Sequence, residues 1–225
     1  FYLVRHKAMA RKDAFNRQAL DNQHQFGGSF GGPIRKDRSF FFVTAEQQLV
    51  SNPRQVIFRR LDAPFVRTTA NGEAFDFYRG LETPFTQTND ATTLLGKWDE
   101  QLNASHRVSV RYLWSTNTAK NAVATGNQIS PETSAALANN GTEGDRQHTV
   151  VGNWTGIFSA RIVNELRGQY SWEKRPRLAN GDLAGVGNTV GSTGTRSFLS
   201  TTQKDYRIQF ADNLSWNVGR HAVKF

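Results

Sequence analysis

The chain has 225 residues, with 28 Lys plus Arg against 19 Asp plus Glu for a formal charge of +9, and no cysteine. Its mean hydropathy of −0.58, and the lack of any apolar run near the roughly 18 residues a spanning helix needs, exclude helical membrane insertion. The missing cysteines exclude a disulfide framework, a thiolate zinc site and a thiol nucleophile. The basic balance would attract nucleic acid, anionic headgroups or acidic ligands, but Lys and Arg are scattered singly, without a block of five or more like charges.

In chain order, residues 1–24, which hold Arg5, His6, Lys7, Arg11 and Lys12, lack clean period-2 alternation, so an early strand and a connecting segment both stay open. From Gln25 a cadence recurs: an alternating segment, a short polar turn, a second alternating segment and a long polar stretch. The first unit is QFGGSFGGPI, a turn at Arg35-Lys36-Asp37-Arg38, and SFFFVTAEQ to Gln47. Phe26, Gly28, Phe30, Gly32 and Ile34 share one parity, which is one face of a strand.

The second unit runs TTLLGKWDEQL from Thr92, turns at Asn103-Ala104-Ser105-His106 and returns as RVSVRYLWS. Val108, Val110, Tyr112 and Trp114 face one way, and Arg107, Ser109 and Arg111 the other. The third is HTVVGNWTGIF from His148, a Ser159-Ala160-Arg161 turn, and IVNELRGQYSWEK. Leu166, Tyr170 and Trp172 share its apolar parity, while Glu165, Arg167, Gln169 and Ser171 take the other. The fourth is QKDYRIQFADNLSW from Gln203, a turn at Asn217-Val218-Gly219-Arg220, and HAVKF. Ile208, Phe210, Leu214 and Trp216 hold its apolar parity, interrupted by Asp212.

Between the units lie 49–91, 116–145 and 175–202, rich in turn residues and poor in periodicity. Loops much beyond about 15 residues are uncommon in compact soluble domains. Outer-membrane barrels combine short periplasmic turns with long exterior loops, and their strands need only about 10 residues of half-apolar sequence. The expected fold is therefore all-β: an antiparallel transmembrane β-barrel segment of about eight strands from a larger barrel. Val108, Val110, Tyr112, Trp114, Leu166, Tyr170 and Trp172 are the expected lipid-facing or interface residues, with Tyr and Trp forming an aromatic girdle. Arg107, Ser109, Arg111, Glu165, Arg167 and Gln169 are the expected lumen-facing set, able to line a solute path or pack against a plug.

The first hairpin resembles a known family on specific residues: Phe26 to Gly28, Gly31 to Ile34, Lys36-Asp37 and the aromatic triplet Phe40 to Phe42 match the early barrel of Oar-like TonB-dependent receptors, in the form common in acidobacteria. The second hairpin is similar to later strands of the same proteins at Gly96, Asp99, His106, Arg107, Arg111 and Tyr112, and FADNLSWNVGRHAVKF has the same look. This resemblance implies a barrel of about 22 strands with a plugged lumen, importing a scarce substrate such as a siderophore complex or oligosaccharide with energy from the inner membrane. Residues 1–24 would then be a plug-to-barrel connection or early barrel segment, and 25–225 part of the barrel. The plug, the TonB box and the N-terminal regulatory-like domain are absent from these residues. The start at Phe1 and the stop after Ala222-Val223-Lys224-Phe225 are expected to be cuts through a longer protein.

Competing motifs are weak. Gly27-Gly28-Ser29-Phe30-Gly31 matches G-x-S-x-G, but a nucleophile elbow needs a helix after the Ser, whereas Gly32-Pro33 and a charged turn follow. The five histidines, His6, His24, His106, His148 and His221, form no short-spaced ligand pair, and His106 and His221, beside turns, are expected to be exposed. Asp99 and Glu100 are adjacent, so on a strand they face apart. No enzyme activity, metal or cofactor is expected. The expected partners are outer-membrane lipid, the TonB complex through the absent N-terminal parts, and an unidentified solute or oligosaccharide. Three other functions stay open: another outer-membrane barrel such as a porin or adhesin-like protein, a soluble basic β-protein binding nucleic acid or polysaccharide, and a surface hydrolase. The aromatics could stack on bases, but they keep parity with aliphatics along strands, as lipid-facing residues do.

Overall fold

A computed structural model describes residues 1–9, 11–12, 22–122 and 131–225. In chain order the elements are β1 (Tyr2–Arg5), β2 (Asn22–Arg35), β3 (Ser39–Val56), helix α1 (Gly72–Gly80), β4 (Pro84–Thr88), β5 (Asp90–Asn103), β6 (His106–Lys120), β7 (Glu132–Thr133), β8 (Gly141–Ser159), β9 (Ile162–Ala179), β10 (Val186–Gly187), β11 (Ser192–Thr193), β12 (Thr201–Val218) and β13 (His221–Lys224). Nine of these strands form one antiparallel wall in the order β1-β2-β3-β5-β6-β8-β9-β12-β13, so each pairs with the next long strand in sequence. No helix among the described residues is long and apolar enough to cross a membrane.

The eight strands read from periodicity are all present, and Tyr2–Arg5 adds a ninth, pairing Tyr2 with Phe26 and Arg5 with Gln23. Period-2 alternation fixes the register because a one-residue slip would move every side chain to the other face. The short turns close where polar residues tolerate tight bends. Asp37 (φ 57°) and Gly219 (φ 60°) take the left-handed conformation that the first and last of these turns require.

Two expectations about the long stretches need correction. The strands run well past the alternating segments: β3 has 18 residues and β8 has 19. Alternation fades at these ends because both faces there meet polar surroundings, while the backbone ladder still demands partners and so continues. The described parts of the connections also hold elements of their own. α1, β4 and β7 lie within them, with β4 pairing antiparallel and β7 parallel to the end of β3.

The cluster of buried apolar side chains among the described residues lies at the end of β3 and in these connections: Val56, Phe58, Leu61, Tyr78 and Ala136, with Phe75, Leu81, Phe85 and Val190 packed against them. Phe58 and Tyr78 meet edge to face at 5.1 Å, and the Asn188 side-chain amide donates to the Tyr78 hydroxyl at 2.7 Å. Three separate connections thus converge on one small cap at the long-loop end of the wall.

Candidate functional site

Cross-strand pairing decides which side chains share a face. Val108 pairs with Trp154 and Trp154 with Leu166; Tyr112 pairs with Val150 and Val150 with Tyr170; Trp114 pairs with His148 and His148 with Trp172. The seven residues read as one apolar set therefore lie on one face, in adjacent rows. Phe30, Val43 and Ile208 extend the Tyr112 row across the wall, and Phe30, Ile208 and Phe210 are 69%, 66% and 80% exposed. Exposure this large over a continuous apolar face is foreign to a soluble protein surface.

All five tryptophans lie on that face. Trp114 and Trp172 share a row near the long loops, while Trp98, Trp154 and Trp216 lie toward the short turns. Trp114 and Trp172 at one end and Trp154 and Trp216 at the other suit the two interfaces of a bilayer, with the mixed aliphatic and aromatic Tyr112 row between them. At the lower tier the Trp98 indole donates to the Ser39 hydroxyl at 3.0 Å.

The opposite face collects the polar set into a grid: Arg107, Thr155 and Glu165 in one row, Ser109, Asn153 and Arg167 in the next, and Arg111, Val151 and Gln169 in the third. Side-chain bonds cross the strands. Arg167 Nε donates to Asn153 Oδ1 at 3.0 Å, the Asn153 amide to Ser109 Oγ at 3.4 Å, and Arg167 reaches Glu165 at 3.3 Å. Gln169 donates to Ser171, which lies 3.1 Å from Thr149 Oγ1. Parity alone did not single out two further members. Asp99 holds both Lys97 and Arg107, at 2.8 and 3.0 Å, and Asn153 bridges two strands. Asp99 does face away from Glu100, which pairs with Arg38 at 3.0 Å at the turn end of the apolar face. Phe40 and Phe42 depart from the polar pattern: they share its face and are each 43% exposed.

The cap stands over this polar face. Near the end of β3, Arg54 and Val56 are buried while Pro53 is exposed. Even-numbered positions on β3 carry the polar face, because Phe42 pairs with Lys97 and Lys97 with Arg111. Gln87, Ala119 and Gly141, buried at the same end, have the same facing. Arg54 Nε donates to Gln87 Oε1 at 2.9 Å, satisfying a buried guanidinium.

Ion pairs lock the cap. Arg79 bonds Asp62 at 2.8 Å and Glu82 at 3.0 Å, which hold its guanidinium pKa above the ordinary value, Asp62 foremost. Glu82 also accepts the Phe58 backbone N–H at 2.7 Å. Arg59 makes a forked contact with Glu132 on the next connection. Arg67 bonds Asp76 of α1 at 2.6 Å and lowers that carboxyl's pKa. A cleft of about 690 Å³ opens between Asn139, Asp182, Arg196 and Phe198, with the Arg196 guanidinium 6.0 Å from the Phe198 ring centre.

The G-x-S-x-G run lies inside β2, paired to β3 through Ser29–Thr44 and followed by a turn, not a helix. His221 is exposed, but His106 is only partly so: its ring stacks on Trp154 at 5.5 Å. The neighbouring strand supplies that ring, which no reading of the turn alone would reveal. Among the described residues, no group of three or more His, Cys, Asp or Glu side chains could hold a metal ion.

No curated protein and no solved structure matches the chain. A family described as outer membrane beta barrel domain matches residues 1–76 and 56–225. With its antiparallel wall, one apolar and one polar face, and two aromatic tiers, the chain belongs to that family, and its place is the bacterial outer membrane.

Proposed function

We propose that the chain is part of the barrel wall of a TonB-dependent receptor that imports a scarce nutrient, such as a siderophore complex or oligosaccharide, with energy passed from the inner membrane. The apolar face meets lipid and the polar face lines the lumen. Short turns lie toward the periplasm, and the capped end faces outside. One observation carries the proposal: the cap has a hydrophobic core of its own and covers the polar-face side, so the lumen mouth is a built surface rather than an open pore. Exposed Phe40 and Phe42 on the polar face suit contact with a plug better than contact with a column of water. The resemblance of Phe26 to Gly28, Gly31 to Ile34 and Phe40 to Phe42 to Oar-like receptors points the same way. The chain's role is transport through binding and passage, without catalysis.

The runner-up is an unenergised barrel, a porin or adhesin-like protein. Uptake of labelled candidate solutes by cells producing the full-length protein, with and without a protonophore, separates the two. An energised receptor loses concentrative uptake when the proton gradient collapses. Uptake that persists at the same rate would replace the receptor with a passive pore.

A further inference from the structure

At the long-loop edge of the apolar face, one row beyond Trp114, His148, Trp172 and Tyr206, the register places Arg146, Lys174 and Lys204 on three adjacent strands, directly opposite one another. Like charges at directly opposed positions are about 5 Å apart at Cβ and repel. None of the three is ion-paired among the described residues, and the rest of their row, Phe26, Gln47, Thr92 and Thr116, brings no carboxylate. On the polar face two cations near this height are neutralised: Arg175 by Glu173 and Asp205, and Arg177 by Glu143. Those two arginines have counter-charges, whereas the three opposed cations on the apolar face have none among the described residues.

A second observation falls at the same place. Pro176 sits three residues before the end of β9 and has no N–H to donate, and the β8–β9 pairing lapses between Glu143–Arg177 and Arg146–Lys174. A cleft of about 190 Å³ opens there, with Arg146 and Lys174 on one side, Thr118 and Thr142 hydroxyls above, and Pro176 and Leu178 as an apolar wall. Asp145 is the one carboxylate in its lining, and by parity its side chain belongs to the opposite face.

We propose that Arg146, Lys174 and Lys204 with this cleft form a binding site for the phosphate groups of an outer-leaflet lipid headgroup. The height is that of headgroups, just above an aromatic tier. The donors are cations and hydroxyls, and the apolar wall suits the sugar or acyl root of such a lipid. Three unneutralised cations then gain the anions that the chain itself does not provide. The site rests on the assignment of the apolar face to lipid, but not on what the barrel transports.

The test uses the full-length protein in nanodiscs containing a bisphosphorylated glycolipid or its dephosphorylated form, with bound lipid counted by native mass spectrometry. The triple variant Arg146→Gln/Lys174→Gln/Lys204→Gln is expected to bind the phosphorylated lipid on the order of 100-fold more weakly, since each surface cation contributes about fivefold, and to leave the dephosphorylated lipid unchanged. Equal retention of phosphorylated lipid by wild type and variant would overturn the proposal. So would inorganic phosphate binding as tightly as the glycolipid, because the site would then serve a free anion. Quenching of tryptophan fluorescence by brominated acyl chains reports the face assignment separately. Quenching with unchanged lipid counts removes the phosphate site alone, whereas no quenching removes the orientation on which it stands.

Discussion

The Tyr112 hydroxyl and His148 Nδ1 lie 2.7 Å apart on the apolar face, joined diagonally across β6 and β8. Tyr2 and His24 repeat the arrangement at 2.7 Å on β1 and β2. Lipid offers a phenol no hydrogen-bond partner, so the wall supplies one. Replacing Tyr112 by Phe strands the imidazole and is expected to destabilise the folded barrel by about 1 kcal/mol. Adding His148→Leu should recover much of that loss. Urea unfolding from vesicles measures both, and a double variant less stable than the single one would mean that the pair does not act as a pair.

The two faces of β12 give a direct contrast. Ile208 continues the Tyr112 and Tyr170 row, and its neighbour Gln209 continues the Arg111 and Gln169 row. Ile208→Arg, one row below the Tyr206 tier, is expected to cost about 1–2 kcal/mol, and Gln209→Arg far less. Folding titrations in vesicles compare them, and equal penalties would show that the faces meet the same medium.

Phe58 is the keystone of the cap: it is wholly buried, and Gly191 packs so closely that an added methyl would strike the Phe58 ring and the Ser134 carbonyl. Phe58→Ala should destabilise the cap by about 3–5 kcal/mol through the cavity it leaves, and Gly191→Ala by about 1–3 kcal/mol through overpacking. Limited proteolysis should then cut within the cap while the wall stays protected. Loss of wall protection together with the cap would show that the two are one cooperative unit.

Acid should loosen α1. The Asp76 carboxyl is held below its ordinary value by Arg67, so its contribution is present above the unfolded carboxyl pKa and disappears as pH falls through the lower folded value. The protection of Gly72–Gly80 amides, taken relative to intrinsic exchange at each pH, is expected to fall below about pH 4 in the wild type. In Arg67→Gln it should already be lower at neutral pH and change little on acidification. Identical pH profiles would assign the acid response to other groups.

The wall was legible because its code is local. Strict alternation at Val108, Val110, Tyr112 and Trp114 fixes strand, face and register together. The cap was not legible, because Val56, Phe58, Tyr78 and Val190 come from distant stretches with no shared period, and only the closed hairpins bring them together. Asn153 shows the same limit on a smaller scale. Nothing in HTVVGNWTGIF marks it, yet it joins Ser109 to Arg167 once three strands align. Strand ends misled for a related reason, since backbone pairing outlasts the side-chain pattern that reveals it.

The placement of the buried apolar cluster has a further effect. Water drives the cap together, whereas the wall encloses no interior among the described residues and draws its apolar stabilisation from acyl chains. Bilayer thickness and fluidity should therefore tune how firmly the barrel stands while leaving its mouth indifferent. Temperature and salt, acting through the aqueous phase, should do the reverse.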